Sequence, residues 1–258
     1  GDPGGGFEAH GDLSGDGTSQ TVIRIQGYSV SASVPSADQV LVSNGSQWTP
    51  AQLTMDQILP AFGAQFFLTG PAYVEVRQTI VEPAFTASYT SGPPTLVMLT
   101  DSDGGSKDVT TPDPTSFWSN GTFQKLAYGA GATFTLTSHK GAIVKSSTQS
   151  ITWVQKVFWG VAAEPPGGYD QAFVTGLAGS GLATSRARSF TVNAGLTDHI
   201  FYCYRDGYGD GSFWVGGIEG GFDLVATIPV TNAYGFVENY RIYKSVQPNL
   251  GITTVTVI

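Results

Sequence analysis

Cysteine, histidine and charge are all scarce in this chain of 258 residues. One cysteine, Cys203, excludes a disulfide within the chain, and with only 3 histidines it cannot seed a cysteine-rich zinc site. Its apolar flanks predict a small hydrophobe buried in a strand. Charged residues make up 12% of the sequence, too few for solvent-washed helices, which draw on Glu and Lys. The 12 basic residues are scattered among 20 acidic ones, for a net charge of -8, and nucleic-acid binding, which needs a basic stripe, is not expected. No apolar run reaches the roughly 20 residues that a membrane-spanning helix requires, and no charged-then-apolar stretch stands at the start. Membrane insertion is not expected.

Glycine, at 34 residues, and short alternating apolar runs fill the chain instead, the pattern of an all-β protein with many turns. Gly1 to His10 is glycine-rich and reads as a flexible lead. From Gly11 to Pro50, Gly-Asp-Leu-Ser-Gly is followed by Thr21-Val-Ile-Arg-Ile-Gln-Gly27, Gln39-Val-Leu-Val-Ser-Asn-Gly45 and Trp48-Thr-Pro50. Val22, Ile23 and Ile25 are predicted in one strand and Val40 to Val42 in another, with Asn44-Gly45 as a tight turn. Thr54 caps a predicted helical turn over Met55 to Leu59 that Pro60 stops, and Ala61 to Pro71 is the expected hinge. Runs so short cannot bury a core within one chain, so this segment is expected to be completed by sister copies through Val22, Ile25, Val40, Leu41 and Trp48.

Beyond the hinge, Phe123 to Tyr128, Ala132 to Thr137 and Ile151 to Phe158 alternate apolar and polar side chains, as in a β-sandwich. A second β-module starts near Phe158 and runs through His199-Ile-Phe-Tyr-Cys-Tyr204, Phe213-Trp-Val-Gly-Gly217 and Tyr240-Arg-Ile-Tyr-Lys-Ser245 to the end. The expected organisation is an extended arm with short strands over 1–65, a sandwich over 66–160 and a second sandwich over 161–258.

The motifs of Gly11 to Pro50 resemble the linking modules of bacteriophage tail and head fibres. Val76 to Thr90, Phe134 to Thr137 and Ile151 to Trp153 resemble the Ig-like inserts of phage virion proteins. The stretch after Phe158, with its Gly220-Gly-Phe222 turn and its Thr253-Thr-Val-Thr-Val257 ending, resembles a C-terminal β-domain of phage tail proteins, although Tyr204 is followed by Arg205 where that family often has proline. The resemblance implies a structural virion protein, a homotrimer joined to other virion proteins. It would be located in the virion and act as a fibre or a host-surface adhesin. A non-adhesive scaffold and a glycan-degrading tail enzyme are the alternatives.

Candidate sites follow two chemistries. Asp101, Asp103 and Asp108 cluster on a turn as a calcium site would, without the closing glutamate of an EF-hand, and a plain hairpin turn is the competing reading. Asp206 and Asp210 pose the same choice. Trp118, Tyr204, Tyr208 and Trp214 lie in or beside loops rich in Gly, Asp, Asn and Ser, the form of a glycan-binding tip, against which stands the reading that strand aromatics fill cores. No enzymatic role and no cofactor are expected. Gly179-Ser-Gly181 lacks the nucleophile elbow, His10, His139 and His199 have no assignable triad partner, and Glu164, Asp170, Asp206, Asp210, Glu219 and Asp223 fall largely in turns.

Overall fold

A computed structural model describes residues 13–16, 19–34, 36–52 and 61–258, divided between a first unit, Gly1–Phe62, and a second, Gly63–Ile258. The glycine-rich lead and the helical turn expected at Met55 to Leu59 lie outside the described residues.

In the first unit, Leu13–Asp16 and Ser19–Val22 form an antiparallel hairpin. A separate four-stranded sheet follows, in the order Arg24–Ile25, Tyr28–Val30, Gln47–Gln52 and Gln39–Ser43. Gln26 and Gly27 both adopt positive φ, 51° and 81°, as the two central residues of a hairpin turn whose twist matches its strands. At the Asn44-Gly45 turn the Asn44 side-chain oxygen accepts the backbone N–H groups of Ser46 and Gln47, so the expected turn is made by asparagine acting as a local acceptor. Ile23 falls between two strands rather than within one, because the chain turns from the first hairpin into the sheet there.

The second unit is all-β apart from short helical turns. A nine-stranded sheet runs in the order Ser106–Asp108, Leu96–Asp101, Gly131–Lys140, Ile143–Ala162, His199–Arg205, Val237–Ser245 and Phe222–Thr231, with Tyr73–Glu75 and Gly179–Ala183 also paired to Ile143–Ala162. A three-stranded sheet (Ser116–Trp118, Ala84–Thr90, Gly63–Leu68) and a four-stranded sheet (Arg188–Ala194, Gly251–Val257, Phe213–Val215, Ile218–Glu219) complete two sandwich cores.

Alternation along Ile143–Ala162 explains the layering. Trp153 belongs to one core with Phe66, Phe85, Phe117 and Phe134, and Val157, on the same strand face, belongs to a second core with Tyr202, Tyr204, Phe213 and Val255. Phe158, on the opposite face, packs with Phe201, Cys203, Ile242 and the helix residue Val174 in a third cluster. His199–Arg205 is thus covered on both faces, which is why Ile200 to Tyr204 are all buried and Cys203 sits among hydrophobes, its thiol pushed up by desolvation.

The helix Gln171–Gly176 starts on the Asp170 carboxylate, which accepts the Phe173 N–H at 2.8 Å.

Two expectations are corrected here. The limit at 160/161 falls inside the strand Ile143–Ala162, which pairs with Gly131–Lys140 before it and His199–Arg205 after it, so 63–258 is one unit with two sandwich cores on a shared sheet. The division between units falls at 62/63 rather than 65/66. In addition, the strand foreseen from Phe123 to Tyr128 stops at Phe123. Beyond it the chain folds over the first core, with the Lys125 carbonyl accepting from Arg77 N and Gly129 N donating to the Trp153 carbonyl.

Candidate functional site

No described residue of the first unit between 21 and 52 is buried. Val22, Ile23, Tyr28, Val34, Val40 and Leu41 are exposed, Val34 at 89%. Ile25 and Trp48 are half-buried and joined by a 3.3 Å hydrogen bond from the Trp48 indole to the Ile25 carbonyl. Val40 and Leu41 are consecutive in one strand and therefore face opposite sides. The five residues expected to join copies are thus not gathered on one face, and apolar side chains stay uncovered on both faces of a thin sheet. Such surface is the kind that marks association sites.

The aromatic set foreseen as a glycan tip is dispersed. Tyr204 is fully buried, its ring stacked on Tyr243 with centroids 5.5 Å apart and its hydroxyl donating to the Gly209 carbonyl at 3.0 Å. Tyr208 lies half-buried between Tyr204 and Tyr128, and its hydroxyl reaches the Ala183 carbonyl at 2.8 Å. Burial raises both phenols above the ordinary tyrosine range. Tyr204 is corrected to a core member and Tyr208 to a half-buried ring packed against that core, each with its hydroxyl satisfied by a neighbouring carbonyl. Trp118, 54% exposed, stands on the three-stranded sheet, whereas Trp214, half-buried, stands on the four-stranded sheet opposite Thr256 and Glu219.

The carboxylates foreseen as metal ligands have separate tasks. Asp101 accepts from the backbone N–H groups of Asp103 and Gly105, Asp103 pairs with Lys125 at 2.6 Å, and Asp108 accepts from Thr110, which holds its carboxyl below the usual range. Among the described residues, no three His, Cys, Asp or Glu side chains gather where a metal could bind, so the Asp101, Asp103 and Asp108 site is corrected to turn chemistry. Asp206 and Asp210 both hold Arg241.

A site that sequence reasoning missed lies beside the shared strand. A polar cavity of about 410 Å³ is lined by Glu75, Lys156, Gln171, Thr175, Ser180 and Tyr240, among others. Glu75 sits between the fully buried Val74 and Val76, on the face that alternation turns away from them. Its carboxylate meets Lys156 Nζ at 3.0 Å. The Tyr240 hydroxyl donates to the Lys156 carbonyl at 2.8 Å, which leaves its ring in the floor. The one signal in the sequence was that acidic residue set between two valines, Val74-Glu75-Val76. Compared with known proteins, the chain matches no family model, no curated protein and no solved structure.

Proposed function

We propose that this protein is a homotrimeric structural component of a bacteriophage particle, in which the amino-terminal unit joins copies to one another and residues 63–258 meet the host surface or neighbouring virion proteins. The observation that carries this reading is the amino-terminal unit, in which no described residue from 21 to 52 is buried while Val22, Ile23, Tyr28, Val40 and Leu41 are exposed. A surface of this kind gains by being covered, at about 25 cal/mol for each Å² of apolar area removed from water, and symmetric copies cover it at no cost in new sequence. The fibre-like order of Gly11 to Pro50 supports the virion setting. No catalytic role is assigned.

Sedimentation equilibrium of the full chain tests the assembly. The expected mass is three times 27.1 kDa, falling to that of one chain when Val40→Lys and Leu41→Glu are combined. A wild-type monomer overturns the reading. Immunogold labelling of intact particles tests the setting, and unlabelled virions overturn it.

A further inference from the structure

The cavity beside Lys156 has the make-up of a ligand site rather than of a packing defect. Its volume of about 410 Å³ falls within the span of roughly 300–1,000 Å³ typical of small-molecule sites, with room for one sugar ring. Its wall is tied together across the unit before any ligand arrives. The Asn232 amide donates to the Val76 carbonyl at 2.8 Å, and Gln171 Oε1 accepts the Thr231 N–H at 2.9 Å.

The unused hydrogen-bonding groups then define the ligand. Among the described residues, Glu75 spends one carboxylate oxygen on Lys156 and keeps the other, and the Lys156 ammonium keeps further N–H donors. Gln171 spends its oxygen on Thr231 and keeps its amide N–H₂. The Thr175 hydroxyl donates to the Gln171 carbonyl at 3.0 Å and retains its acceptor lone pairs. Ser180 presents an exposed hydroxyl at the mouth, and Phe158 and Tyr240 supply an apolar floor.

One carboxylate and one ammonium make the cavity neutral in sum, so a charged ligand would compensate one partner of the pair and set itself against the other. The lining offers both donors and acceptors, which suits groups that donate and accept at once. Hydroxyls do both. We infer that this cavity binds a neutral, hydroxyl-rich ring, a single unit of an uncharged glycan, with Glu75 accepting from one hydroxyl and Lys156 and Gln171 donating to its neighbours. This inference deepens the host-surface part of the reading above but does not depend on self-association, so the mass measurement and the test below fail separately.

Saturation-transfer NMR on the full-length protein tests it, with methyl α-glucoside, methyl α-galactoside, methyl α-mannoside and N-acetylglucosamine as neutral probes and glucuronate and glucosamine as charged ones, each at about 10 mM, a level suited to millimolar affinity. The expected result is transfer to at least one neutral sugar in preference to both charged ones. Lys156→Met, and independently Ser180→Trp or Thr175→Trp at the mouth, should weaken binding by at least about tenfold, with circular dichroism reporting an unchanged fold. Absence of transfer to every neutral sugar, stronger transfer to a charged one, or transfer that survives both tryptophan substitutions in folded protein overturns the inference.

Discussion

At the scale of single residues, the side chain of most consequence for stability is Gln155, a residue that also borders the cavity. It lies on the strand face shared by Trp153 and Val157, where two sandwich cores meet, and its Nε2 is buried without a hydrogen-bond partner. An unpaired buried amide costs about 1–3 kcal/mol, whereas a thioether of similar length costs nothing of the kind. Gln155→Met is therefore expected to raise the unfolding midpoint in urea by an amount corresponding to about 1 kcal/mol; an unchanged or lower midpoint shows that the amide is satisfied. Residues of this sort divide sharply in how legible they were. Of the strand aromatics Trp153, Trp159, Phe201, Phe213 and Trp214, which read as core fillers, Trp153, Phe201 and Phe213 are buried, whereas Trp159 and Trp214 are half-buried. Tyr204 read as a loop aromatic because turn residues follow it, but its hydroxyl finds the Gly209 carbonyl five positions on, a local satisfaction that spacing alone does not reveal. Glu75, Lys156, Gln171 and Tyr240 come from distant segments, and nothing in the order of residues announces their meeting.

Elements show a second pattern. Strands with one covered face, such as Gly131–Lys140, kept their alternation and were readable, with Ala132, Phe134 and Leu136 inward. His199–Arg205, covered on both faces, reads as an unbroken apolar run and hides its layering. The domain limit was misplaced for a related reason: Ile143–Ala162 changes which core it serves near Val154 without any turn residue to mark the change. Two sandwiches threaded by one strand lose their structure together. Trp153→Ala in the first core and Tyr202→Ala in the second are each expected to cost about 3–5 kcal/mol and to lower one common calorimetric transition of residues 63–258. Two resolved transitions, each moved by only one of the substitutions, would show that the halves are independent.

The whole molecule carries its buried tyrosines as a pH-sensitive load. Burial, ahead of any charge effect, raises the phenols of Tyr202, Tyr204, Tyr208 and Tyr240, and it lifts Tyr169 to about 12. An unfolded chain loses these protons near pH 10, before the folded one does, so stability is undiminished below that value and drains away as pH rises toward the folded values. Absorbance at 295 nm should show these phenols ionising only in step with the loss of near-ultraviolet circular dichroism. Ionisation of all 11 tyrosines near pH 10 with the dichroism intact would contradict their burial. The largest sheet, finally, ends on rims that refuse company. On one side stands Ser106–Asp108, only three residues long, and on the other Phe222–Thr231, whose ladder slips between Leu224 and Ala226 and whose Pro229 has no N–H to offer. Crowded side by side on a common support, many such molecules would stay separate bodies, since neither border of the sheet invites the next chain to zip onto it.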